Sequence, residues 1–118
     1  MAVSEQFLDY AVDQLACIGE VASKRMFGGV GLYYDGLFFG LIAGDNLFFK
    51  VDDENRPDYE AAGARPFKPY GEESYSMSYF EVPADVIEDV DQLRKWARAA
   101  VSAAERKAGS KKKIKRTP

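Results

Sequence analysis

Asp35-Gly36 stands between two runs rich in aromatic and branched residues, Gly29–Tyr34 and Leu37–Ala43, and no other feature constrains the chain as strongly. Asp-Gly favours a tight turn with positive φ at both central positions, and strand-forming residues on either side make it a hairpin signal. Gly44-Asp45-Asn46 then separates the second run from a third, Leu47–Val51. Arg25 to Asp52 therefore reads as three consecutive antiparallel strands, with the rest of the chain covering or extending this meander. Tyr33-Tyr34, Phe38-Phe39 and Phe48-Phe49 place an aromatic doublet on each strand. Strict alternation puts one ring of each doublet on each face. Both faces then carry aromatic surface, so either both are covered or one is a binding surface or dimer interface.

Helices are expected at both ends. Ser4 reads as an N-cap, and Phe7, Leu8, Ala11, Val12, Leu15 and Ile18 follow at helical spacing, with Gly19 as the stop. Leu93, Trp96, Ala97, Ala100, Val101 and Ala104 form a second stripe on a helix spanning Val90 to Lys107, with Trp96 as its core anchor and Gly109 as its end. Between the meander and this helix, Asn55 reads as the N-cap of a short helix that ends at Gly63. Arg65 to Glu73, with Pro66, Pro69 and Gly71, reads as a loop. Ser74 to Val82 reads as a further strand, Val21 to Phe27 as a short first one, and Asp85 to Asp89 as a helical turn. The fold class is α+β: an antiparallel meander sheet with N- and C-terminal helices packed on it. Residues 1–108 form one domain of the 118, and 109–118 a flexible basic tail.

Composition narrows the chemistry. The chain contains no histidine, which removes Ser-His-Asp and Cys-His catalysis and every histidine-containing metal site. Cys17 is the lone cysteine and falls on the first helix, where a buried thiol is the default and no histidine exists to activate it. Gly28-Gly29-Val30-Gly31 has neither the Gly-Lys-Ser/Thr ending of a phosphate loop nor a dinucleotide fingerprint, so a bulge or close backbone approach accounts better for it. Asp52-Asp53-Glu54 invites a metal reading, but three successive carboxylates cannot converge on one ion, and helix-start acidity explains them more simply. A methyltransferase of the usual kind needs an alternating α/β cofactor domain, and this chain has neither that pattern nor that length. The residues call for no cofactor, no metal and no catalytic role.

Net charge is −3, unevenly distributed. Lys111, Lys112, Lys113, Lys115 and Arg116 lie in the last ten positions, and the first 108 residues carry 11 basic against 19 acidic side chains, a net of −8. An acidic body argues against phosphate binding by the globular surface, while a basic arm can contact nucleic acid without sequence preference. No apolar run approaches the roughly 20 residues of a membrane helix. The N-terminus lacks the basic-then-apolar pattern of a signal peptide, which together with the lone thiol reads as cytoplasmic.

Arg25-Met26-Phe27-Gly28-Gly29, then Gly31, Tyr33 and Gly36, then Leu47 to Lys50, resemble the signature of the TfoX N-terminal domain family, small bacterial proteins related to the competence regulator TfoX, or Sxy. The resemblance continues through Pro66-Phe67, Ser78 to Pro83 and Trp96-Ala97, and spans about residues 4 to 107. It implies a curved antiparallel sheet with helices on it, similar to type III secretion chaperone folds. It also implies a non-enzymatic regulatory or protein-interaction module attached to DNA-uptake genes, as a transcriptional coactivator, with a protein partner and no catalytic residues. Full-length regulators of this kind carry a second, helical C-terminal domain, and a basic segment stands in that position here. The alternative is a weakly nucleic-acid-associated protein acting through that segment.

Overall fold

The computed structural model describes residues 4–26, 28–67 and 76–116. Helix α1 (Glu5–Leu15) runs into a single 3₁₀ turn, Ala16–Ile18. Strands β1 (Val21–Met26), β2 (Gly29–Tyr34), β3 (Leu37–Ala43) and β4 (Asn46–Lys50) follow, then α2 (Arg56–Ala61), β5 (Pro66–Phe67), β6 (Ser76–Glu81), α3 (Ala84–Glu88) and α4 (Val90–Arg116). The six strands form one antiparallel sheet in the order β1-β2-β3-β4-β6-β5.

The β2–β3 hairpin closes as its sequence dictates: Asp35 has φ 52° and Gly36 φ 79°, the pair of left-handed residues that matches the twist of the strands. Tyr33 pairs with Phe38 and Leu32 with Gly40, so Phe39 is an extra residue in β3. This bulge turns Phe39 and the following Gly40 toward the same side. A Cβ on Gly40 would lie 3.1 Å from the Phe49 ring, so the glycine leaves that ring its place.

The helices lie on one face of the sheet. Ala11, Leu15 and Ile18 from the first helical segment, and Leu93, Ala97, Ala100, Val101 and Ala104 from α4, bury against Val30, Leu32, Phe39, Ile42, Leu47 and Phe49. The alanines of α4 allow its backbone to come close to β3 and β4. The Ser4 hydroxyl accepts from the Phe7 amide and caps α1 as expected. No helix among the described residues is long and apolar enough to cross a membrane.

Three expectations need correction. Trp96 is only partly buried and packs edge-on against Tyr59, with ring centroids 4.6 Å apart, while Leu93, Ala97 and Ala100 are fully enclosed and anchor α4. Helix α4 does not end at Gly109 but continues to Arg116. An interior glycine costs about 1 kcal/mol, which good helix formers on both sides can offset. The stretch read as a loop from Arg65 contains β5, whose Pro66 and Phe67 pair with Phe80 and Ser76. Asn55 holds the N-cap position of α2 as expected, but its side chain makes no cap hydrogen bond. Its Oδ1 accepts from the Asp52 amide and its Nδ2 donates to the Lys50 carbonyl, so this buried amide ties the end of β4 to the start of α2. Phe27, Ser74 and Tyr75, expected in strands, lie outside the described residues.

Candidate functional site

The second face of the sheet carries the other ring of every doublet. Register places Met26, Tyr33, Phe38, Leu41, Phe48, Lys50 and Tyr79 there, opposite the face that bears Tyr34, Phe39 and Phe49. Phe38 stands between Tyr33 and Tyr79, with ring centroids 5.2 Å and 5.7 Å away. Phe48 meets Phe67 of β5 edge-on at 4.9 Å. Tilted contacts of this kind are the arrangement aromatic quadrupoles prefer. Phe48 is buried yet belongs to no part of the helix-side core. Tyr33, Phe38, Leu41 and Tyr79 are half-exposed, and no described helix lies over them.

The glycines of the motif shape this face. Gly28 turns the chain between β1 and β2 with φ 78°. A Cβ on Gly29 would sit 2.6 Å from the Ile42 carbonyl oxygen, so β2 passes its neighbour at a distance only glycine allows. A Cβ on Gly31 would meet Met26 Cε at 2.7 Å and Phe38 Cε1 at 3.0 Å. The thioether and the ring thus close over the bare backbone of Gly31, which explains the spacing of Met26 and Gly31 in the motif. Of the bulge or close backbone approach expected at Gly28-Gly29, the close approach occurs at Gly29, while Gly28 forms a turn in place of a bulge.

The motif residues converge only in part. Met26, Gly31, Tyr33 and Lys50 meet on the outer face. Lys50 Nζ lies 5.0 Å from the centre of the Tyr79 ring, in cation–π range. Burial, and secondarily the neighbouring Tyr33, pushes the Tyr79 hydroxyl up to about 12, so it stays protonated near neutrality. Arg25 is exposed on the edge strand with the opposite parity, and Gly36 is at the far hairpin turn. Phe27, and the side chains of Lys111, Lys112, Lys113, Lys115 and Arg116, lie outside what is described. Phe38, Phe67 and Tyr79 join the surface although the sequence reading assigned them no site. Such a face offers apolar and π contact, and register places the charged residues Lys24, Lys50 and Glu81 on it as well.

The acidic cluster serves α4. Asp52 accepts two hydrogen bonds from the Arg106 guanidinium, 2.6 Å at Nε and 2.9 Å at the terminal nitrogen, and a third from the Glu54 amide. Arg56 pairs with Asp53 at 2.6 Å. The Arg106 fork, foremost, holds the Asp52 carboxyl below its ordinary range. A depressed folded pKa contributes stability that is present above the unfolded value and lost as pH falls through the folded one. The pair is partly solvated, so Arg106→Gln is expected to cost only about 0.5–1 kcal/mol at neutral pH. In urea melts the gap between wild type and variant should narrow below about pH 4. A gap unchanged down to about pH 2 would contradict this assignment.

The surface and its glycine scaffold are built from the residues of a known signature. No curated protein sequence matches the chain. The TfoX N-terminal domain family matches residues 13–104, from within α1 to the middle of α4, including all six strands and the whole outer face. The chain belongs to the TfoX N-terminal domain family.

Proposed function

We propose that this protein is a non-enzymatic regulatory module that docks a partner protein on the outer face of its sheet and acts as a coactivator of DNA-uptake genes. The observation that carries the reading is the division of the sheet. One face is closed by helices, while the other presents Tyr33, Phe38 and Tyr79 half-exposed, with Lys50 beside the Tyr79 ring. Aromatic residues with few rotatable bonds are efficient anchors at protein interfaces. The family supplies the regulatory context, and the acidic body favours a protein over a phosphate backbone.

The test is complementation. A host lacking the gene should show reduced transcripts of its DNA-uptake genes. Wild-type protein should restore them, and Tyr33→Ser/Phe38→Ser at equal abundance should not. Full restoration by the double variant would reject the outer face as the working surface. Unchanged transcripts in the deletion strain would reject the coactivator role.

A second reading is supported by the course of α4, which carries five basic residues on its final turns. If these contact nucleic acid, a random duplex should bind at ~50 mM salt, weaken steeply by ~200 mM, and fail to bind once residues 109–118 are removed. Equal binding by the truncated protein would place the contact on the folded body instead.

A further inference from the structure

We propose that the free edge of β1 is a self-complementary pairing site, through which two copies of this chain join their sheets edge to edge. The two edges of the sheet are unequal. β5 contributes two residues, one of them a proline, which cannot donate to a ladder. β1 contributes six, Val21–Met26, all paired with β2 on one side and with no strand among the described residues on the other. Ala22, Ser23, Lys24 and Arg25 are exposed on both faces of the sheet, so no described residue stands over the strand to block an incoming one. The outward N–H and C=O groups of such an edge are a template for another strand.

Charge selects both the occupant and the register. Lys24 is exposed, and so is Glu20, one residue before the strand. Neither has an ion-pair partner among the described residues of its own chain. Alternation places Glu20, Ala22 and Lys24 on one face. When two β1 strands meet antiparallel about a two-fold axis perpendicular to the sheet, faces are preserved and only alternate registers keep like faces together. With Ala22 opposite Ala22, each Lys24 lies directly opposite Glu20 of the second copy, twice over by symmetry. Sliding so that Ser23 opposes Ser23 puts Lys24 against alanine, and sliding once more puts Lys24 against Lys24. The first register is thus favoured by two cross-strand ion pairs and the last is penalised, while Lys24 still discourages indiscriminate edge pairing. In the favoured register Arg25 faces Gly19 of the second copy, where no side chain competes. The two outer faces then run together as one surface, with Tyr33 of each copy, the β2 partner of Ala22, flanking its centre.

A six-residue edge buries little area, so the dimer is weak, with a Kd between ~10 µM and ~1 mM. The readout is mass and does not depend on the regulatory reading. In sedimentation velocity over that range, wild-type protein should shift with concentration from one chain mass toward two. Lys24→Glu and Glu20→Lys, which touch exposed unpaired side chains, should each keep the wild-type melting curve and weaken self-association about tenfold. Mixing the two variants should restore it, because the heterodimer regains both opposite-charge pairs. Wild-type protein that stays monomeric throughout would overturn the proposal, as would self-association untouched by either charge reversal. Association lost in both variants but not regained on mixing would overturn it too, because the register would then be wrong.

Discussion

Leu93→Ala is expected to lower the unfolding free energy by about 3–4 kcal/mol, a large share of what a domain this size possesses. Leu93 is fully buried at the start of α4, where the helix first meets the sheet, among residues that are themselves enclosed. Truncation removes its apolar surface from the core and leaves a cavity, because the flanking strands and α3 cannot both close on it. Urea denaturation followed by circular dichroism reads the loss directly. Trp96→Ala, three residues on, should cost less, since that ring is partly solvated and leans on Tyr59. A larger loss for Trp96 than for Leu93 would show that α4 is held from its Tyr59 side.

Gly29→Ala should be nearly as damaging, at about 3 kcal/mol, for the opposite reason. The added methyl would lie 2.6 Å from the Ile42 carbonyl oxygen, a backbone atom fixed in the β2–β3 ladder. A flexible side chain could step aside, but this carbonyl cannot without parting the strands. Gly36→Ala is the useful contrast, because open space surrounds that position and only its φ of 79° resists a side chain. Its cost should be about 1 kcal/mol. If Gly29→Ala melted like wild type, the close approach of β2 and β3 would not be what the motif glycine secures.

The meander was legible because its signals are local. Asp35-Gly36 specifies its own turn, and the doublets at 33–34, 38–39 and 48–49 obey alternation, each with one ring on the helix side and one on the outer side. The bulge at Phe39 does not break this rule, because the extra residue is absorbed before Gly40. What stayed hidden depends on distant partners. Pro66-Phe67 looks like loop until β6 offers it a ladder. Asn55 carries the composition of a cap, but its amide is spent on Lys50 and Asp52. Trp96 looked like an anchor by size, whereas the close packing of α4 is set by small residues at 97, 100 and 104. Gly109 looked like a stop, but a glycine ends a helix only when the following residues favour another conformation, and lysines do not. For the site, the sequence pointed to the motif and the structure separated its roles. Glycines 28, 29 and 31 shape the sheet, and Met26, Tyr33 and Lys50 reach its outer surface.

The central claim is that the two faces of one sheet do different work, one holding the fold and the other presenting a surface. Phe38 and Phe39 are adjacent in sequence and point to opposite faces, which makes them the sharpest comparison. Phe39 is fully buried against Phe49, and Phe38 is half-exposed between two tyrosines. The unfolding free energies of Phe38→Ala and Phe39→Ala, measured by urea denaturation under identical conditions, test the claim most directly. The account predicts a loss of about 3–5 kcal/mol for Phe39→Ala and of about 1 kcal/mol for Phe38→Ala. Equal losses at the two positions would mean that the outer face is a second core, and would contradict its role as a surface for a partner.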